Sequence, residues 1–194
     1  MTLSMVLDEH HVQHELLSYT KDYWCRDYMP IQRSEDEFIQ YKYYPDYLTK
    51  YSGDKIYITD PTKSCKRLGI HTNKIDLIID GGNIIKCPDT IIMTENIFTE
   101  NPNYNKDDLV CALKNIFKSD ILFLPWDKNE KYGHADGIVR YVSDNNVLMT
   151  NYEDYDSEIA GEIKHRLSTK YKVLELKYKS SMPNRNSWAY INFL

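Results

Sequence analysis

Between Ile75 and Leu176 the apolar and polar positions run through one pattern and then repeat it. Short runs with strand character, Ile75–Ile79 and Asn83–Cys87, precede the Pro88-Asp89 turn and a third run, Thr90–Thr94. Asn105 then stands as a helix N-cap before a stripe of Leu109, Leu113, Ile116 and Phe117, with Asp107 and Asp108 in the first turn, where negative charge complements the helix dipole. A buried strand, Ile121–Leu124, follows. The order recurs as strand Ile138–Val142, the Ser143-Asp144-Asn145 turn, strand Val147–Thr150, an Asp156 cap, a stripe of Ile159, Ile163 and Leu167, and strand Tyr171–Leu176. Each unit is a strand pair, a helix and a strand, so the chain is expected to be α/β. Residues 187–194 also have strand character, as if another unit began there.

The repeat can be checked by sliding the chain on itself. A slip of 56 residues lays Asp80-Gly81 on Asp136-Gly137 and Ile91-Ile92-Met93-Thr94 on Val147-Leu148-Met149-Thr150. A slip of 53 lays Asp27 on Asp80 and Phe38-Ile39 on Ile91-Ile92, a fainter third copy. Fixed periods of this length mean repeated supersecondary units, and such units must pack side by side to bury their apolar faces. Arranged about an axis, they would bring Asp27, Asp80 and Asp136 together. Carboxylates gathered in one cleft repel unless a cation sits between them, which points to a cationic ligand. A lone Asp at a strand end would more often make an Asx-turn; three in register favour a site.

The 194 residues, 42% hydrophobic and 27% charged, suit a single domain spanning 1–194. A net charge of −5 argues against a nucleic-acid partner. No apolar run approaches the roughly 20 residues a membrane helix needs, so no membrane partner is expected. Cys25, Cys65, Cys87 and Cys111 form no CxxC pair, and Asp8 and Glu9 stand where a signal peptide would be apolar; a cytoplasmic protein with reduced thiols is expected. His10 and His14 have helical metal-ligand spacing, but no third ligand motif follows them, and a solvated helix face is the simpler reading. No metal or other cofactor is expected. Tyr41, Tyr43, Tyr44, Tyr47, Tyr51 and Tyr57 read as packing for an edge strand pair, and Lys164-His165-Arg166 as a helix's basic last turn.

Four motifs, Tyr23-Trp24-Cys25-Arg26-Asp27-Tyr28-Met29-Pro30, Asp80-Gly81-Gly82-Asn83, Gly133-His134-Ala135-Asp136-Gly137 and Tyr190-Ile191-Asn192-Phe193, stand in one order over residues 23–193. Together they resemble the agmatine deiminase family, which includes the bacterial peptidyl-arginine deiminases. The resemblance implies a pseudosymmetric, pentein-like β/α propeller of guanidine-modifying enzymes, here incomplete, with about three whole units. It implies hydrolysis of a guanidinium to a ureido group and ammonia: carboxylates grip the guanidinium, a cysteine thiolate attacks it, and a histidine moves protons. By motif, Asp27 and Asp136 would hold the guanidinium, His134 would be the general acid and base, Trp24 would line the substrate channel, and Asp80 matches a further acidic position. The ligand would be a small guanidinium compound or an arginyl peptide.

Spacing adds its own reading. His134 and Asp136 are two apart, so on an extended segment both would face one side. Alternation then places Arg140 beside Asp136 provided Gly137 does not bulge, making Arg140 a candidate reader of a substrate carboxylate, with Arg33 an alternative. The family's Gly-Gly-x-x-x-Cys nucleophile motif does not occur in this sequence. Cys25 is the one cysteine within a site motif, but its carboxylate neighbour disfavours a reactive thiolate, so all four cysteines read as structural or incidental. Three possibilities stay open: a deiminase whose cysteine half is absent here or supplied by another chain, a truncated non-catalytic homologue that binds guanidinium compounds or acts only by self-association, or the fragment of an interrupted gene. An incomplete propeller would expose unit faces, so self-association is expected.

Overall fold

The computed structural model describes residues 2–50, 53–129, 131–177 and 191. Its framework is three small sheets of identical topology. In the first, β1 (Ile31–Gln32) pairs antiparallel with β2 (Phe38–Lys42), and β2 pairs parallel with β3 (Thr72–Ile78). The second repeats this with β4 (Ile85–Lys86), β5 (Thr90–Thr94) and β6 (Asp120–Leu124), and the third with β7 (Val139–Ser143), β8 (Asn146–Met149) and β9 (Lys172–Glu175). A parallel partner needs a crossover, and helices supply it in each unit: α4 (Thr62–Leu68), α6 (Lys106–Phe117) and α7 (Ser157–Ser168). The unit of two antiparallel strands, helix and parallel strand is therefore present three times. Short helices α1 (Leu3–Glu9), α2 (Cys25–Tyr28), α3 (Asp46–Thr49) and α5 (Asn96–Glu100) decorate it.

The predicted caps are formed: Asn105 Oδ1 accepts from Asp108 N at 2.8 Å, and Asp156 Oδ1 accepts from Ile159 N at 3.0 Å. The expected hairpin turn lies at Asp144 and Asn145, both at positive φ. Two cores flank the middle unit. Ile91 and Met93 of β5 point into one with Leu109, Leu113 and Phe117, while Ile92 points into the other with Val139, Ile163 and Leu167. All five residues of β5 are buried, so this strand has no solvent face and reads as a continuous apolar run.

Several expectations are corrected. The strand expected over Asn83–Cys87 is confined to Ile85–Lys86, because Gly81–Asn83 is a 3-10 turn, held by the Asp80 carboxylate accepting from Gly82 N, that carries the chain from the first sheet to the second. The histidines at 10, 11 and 14 are not on a helix face, because α1 ends at Glu9 and His11 takes a left-handed φ of 56°. Among the described tyrosines from 41 to 57, only Tyr41 lies within a strand, Tyr47 sits on α3, and Tyr51 lies outside the described residues. Arg166 does more than end α7, since it pairs with Glu95 at 2.8 Å and so ties that helix to the second unit. The segment at 187–194 lies outside the described residues except for Ile191, which is fully buried. No described helix is long and apolar enough to cross a membrane.

Candidate active site

The three acids in register do meet. Each precedes the first strand of its sheet, at α2, at the 3-10 turn Gly81–Asn83, and at a turn in which Ile138 N and Val139 N both donate to the Ala135 carbonyl. All three are buried: Asp27 9% exposed, Asp80 2% and Asp136 5%. His134 lies among them. Its Nε2 is 2.9 Å from Asp80 Oδ2, and its Nδ1 is 4.0 Å from Asp136 Oδ1. Close approach depends on glycine. A Cβ on Gly82 would lie 2.3 Å from His134 Nδ1 and 2.9 Å from Asp27 Oδ1, and one on Gly81 would lie 2.0 Å from the Arg26 carbonyl.

The convergence of His134 and Asp136 has a different cause from strand alternation. The segment from Ala135 is a turn, and Asp136 is fixed by its own N–H donating to Gly82 O at 3.0 Å. Cys25 and Asp27 likewise share a helical turn rather than one side of a strand, so Asp27 points inward while Cys25 is exposed. Cys111 is also exposed, whereas Cys65, which lies on α4 rather than in a loop, and Cys87 are buried.

Asp80 has its oxygens engaged from three sides: the Tyr47 hydroxyl donates to Oδ2 at 2.8 Å, Gly82 N donates to Oδ1 at 3.2 Å, and His134 faces Oδ2. Asp136 Oδ2 takes the Arg26 Nε at 2.9 Å, and the other end of that guanidinium donates to Ile84 O. Asp27 is the acid with its carboxylate turned toward His134 and Asp136; a donor atom from each of the three can lie within 4.8 Å of the others.

The electrostatics follow from this crowding. Burial, then the Asp80 charge, pushes Asp27 up to about 7. Burial alone would lower His134, but the charges of Asp80, Asp27 and Asp136 outweigh it and raise the imidazole to about 10. A nearby buried acid, Glu100 at the end of α5, is pushed up to about 8 by burial and by Asp80. A metal ion would fit the spacing of Asp27, His134 and Asp136, but metal ligation needs a neutral imidazole, which this setting disfavours. A planar cation needs no lone pair from His134 and finds paired acceptors in the carboxylates.

Trp24 lies beside the cluster, 57% exposed, its ring 5.0 Å from that of Tyr23. Arg140 lines a cleft of about 430 Å³ together with Arg26, Ile31, Ile84 and Lys86. Ile31, Ile84 and Arg140 each stand four residues after their acid, so the repeat itself brings them to this cleft. Arg140 is thus next to Arg26, which holds Asp136, and not directly beside that carboxylate through strand alternation. Arg33 is placed elsewhere, bonded to Glu37 and to Ile116 O. Sequence reasoning missed Arg26, Tyr47 and Glu100. Arg26 could have been suspected from its place inside the first motif; Tyr47 and Glu100 carried no signal.

This is a mixed α/β fold of small sheets whose acids converge, and its fold neighbours are deiminases. The chain is similar to a cysteine-to-serine variant of C. jejuni agmatine deiminase with substrate bound (TM-score 0.65, 19% identity, 92% of this chain and 60% of that one). It is also similar to a Porphyromonas gingivalis protein designated an arginine deiminase (TM-score 0.69, 14% identity, 100% and 66%) and to the agmatine deiminase of Enterococcus faecalis (TM-score 0.61, 20% identity, 79% and 49%). No curated protein sequence matches it. The model of the Porphyromonas-type peptidyl-arginine deiminases matches residues 4–194, and the chain belongs to that family. It spans about 55 to 60% of the length of several of the solved structures it resembles.

Proposed function

We propose that this chain carries the guanidinium-binding part of a deiminase active site, and that the whole protein hydrolyses a guanidinium to a ureido group and ammonia. The observation that carries the reading is the meeting of Asp27, His134 and Asp136 over the bare backbone of Gly82. Asp27 and Asp136 accept from the planar donors of the ligand. His134, protonated at neutral pH, donates to the departing nitrogen, and Asp80, with its oxygens already engaged, positions that imidazole. Trp24 walls the entrance, and Arg140 reads an anionic substituent through the Arg26 cleft.

The attacking thiolate, in this reading, belongs to a part of the whole protein other than these 194 residues. Burial pushes the Cys65 and Cys87 thiols up, away from reactivity, and Cys25 and Cys111 face outward. This placement favours a second reading for the chain taken alone: it binds guanidinium compounds without transforming them. Calorimetry with agmatine, free arginine and an arginyl peptide, alongside ammonia release, tests this. Binding by these 194 residues that Asp136→Asn removes, without ammonia, is expected; ammonia release removed by the same substitution would overturn the placement of the thiolate elsewhere. Failure to bind any of the three overturns both.

A further inference from the structure

We propose that the ring of Tyr132 is an outer cation-binding wall of the site, covered in the free protein by the ammonium of Lys131 and taken over by the ligand's guanidinium on entry. The proposal rests on the guanidinium-binding reading above and adds a residue that selects the ligand. Tyr132 is 44% exposed, yet its ring centroid is 5.8 Å from the His134 imidazole and 5.1 Å from the Tyr47 ring, which it meets edge to face. The ring therefore stands between solvent and the two side chains that face Asp80. Lys131 Nζ lies 5.2 Å from the ring centroid, inside the roughly 6 Å over which a cation is drawn to an aromatic face. The protein thus already places a positive charge on this ring, beside a cluster of buried acids.

The ring is held there. Gly133 follows at a φ of +69°, packed so closely that a Cβ would come within 2.9 Å of Asn96 Nδ2 and 3.0 Å of Trp126 Nε1. Anchoring directly after Tyr132 limits how far the ring can swing from His134. Lysine is a poor permanent tenant, because its ammonium is compact and strongly hydrated, whereas a guanidinium is planar, weakly hydrated and stacks on aromatic faces. Exchange of one for the other on arrival is therefore favourable, and a non-planar alkylammonium gains less by it.

A double-mutant cycle on the full chain tests this, with agmatine as the probe and calorimetry as the readout. Tyr132→Leu is expected to weaken binding by about two- to five-fold, the usual worth of an exposed cation–π contact, and Tyr132→Phe to leave it unchanged. Lys131→Gln should tighten binding by more than Lys128→Gln, which removes an exposed charge from the same loop and measures the general field. In the Tyr132→Leu background that excess should vanish. Equal gains with and without the ring, or an unaltered affinity in Tyr132→Leu, overturn the proposal. If Tyr132→Leu melts early, weakened binding in Tyr132→Phe assigns the role to the hydroxyl and overturns it as well. Wild-type protein that binds no agmatine, or binds it regardless of Asp136→Asn, overturns the guanidinium reading itself and this inference with it.

Discussion

Gly82→Ala should separate His134 from Asp80. The added methyl carbon lies 2.3 Å from His134 Nδ1, 2.7 Å from its Cε1 and 2.9 Å from Asp27 Oδ1. Moving the imidazole is not free, because its far nitrogen is 2.9 Å from Asp80 Oδ2 and its ring packs against those of Tyr47 and Tyr132, with centroids 5.9 and 5.8 Å away. A shift of about 1 Å, needed to reach ordinary van der Waals separation, lengthens the Asp80 contact beyond hydrogen-bond range. Loss of a charge-assisted contact is worth about 1.5–3 kcal/mol and overpacking about 1–3 kcal/mol, so destabilisation of about 2.5–6 kcal/mol is expected. Denaturant unfolding measures it, and an NMR titration of the imidazole supplies an independent readout. His134, raised to about 10 in the intact site, should fall toward the ordinary histidine value near 6.5 once it leaves Asp80. Gly137→Ala is the control, since a Cβ there meets nothing within 4 Å. A Gly82→Ala protein within about 0.5 kcal/mol of wild type, its histidine still titrating near 10, would refute the packing argument.

Three other predictions rest on the same geometry. A guanidinium requires Asp27 ionised, whereas the empty site holds it at about 7, so ligand affinity should fall by up to about tenfold per unit as pH drops below 7 and a proton should be released on binding; calorimetry in buffers of different ionisation enthalpy counts that proton, and Asp27→Asn should release none. In the ligand-free protein the sign is the opposite. Asp27 and Glu100 both titrate above their unfolded values, so their contribution to stability is full below about pH 4 and is lost as pH rises through 7 and 8. The component of the stability profile assigned to Asp27 should disappear in Asp27→Asn. Tyr47→Phe, which leaves the buried Asp80 oxygen short of one donor, should destabilise the protein by about 1–3 kcal/mol without changing the far-UV spectrum; a change within experimental error would show that Asp80 is satisfied without Tyr47.

The elements with strong local signals were legible in sequence. Asn105 and Asp156 cap helices whose apolar stripes have the helical period, and Asp144-Asn145 turns a hairpin between alternating strands. The positions of the acids were legible because the repeat keeps its period. What failed were readings that extended a strand by alternation. His134 and Asp136 are two apart in sequence, and they converge through a turn after Ala135; Cys25 and Asp27 are two apart and diverge through a helical turn. Spacing of two is compatible with either geometry, and only tertiary contacts, such as Asp136 N donating to Gly82 O, select between them. Tyr47 was hidden for another reason. It lies 33 residues from Asp80, in a tyrosine-rich stretch whose ordinary use is packing, and nothing local distinguishes the ring that reaches a buried carboxylate from its neighbours.

The repeat also explains why three equivalent acids need not do the same work. Stacking the units delivers Asp27, Asp80 and Asp136 to one place, but three ionised carboxylates in a buried cluster cannot coexist without compensation. Each copy meets a different neighbour. Asp80 receives Tyr47, Gly82 N–H and His134, and Asp136 receives Arg26 on one oxygen. Asp27 lacks an equivalent cation on its own turn, because the adjacent Arg26 side chain is spent on Asp136, and burial drives its carboxyl up to about 7. The charge deficit of the cluster is thereby concentrated on one acid. Position in the repeat accounts for the gathering of the acids, while departures from the repeat, Arg26 and His134 above all, leave Asp27 as the carboxyl that a bound cation would ionise.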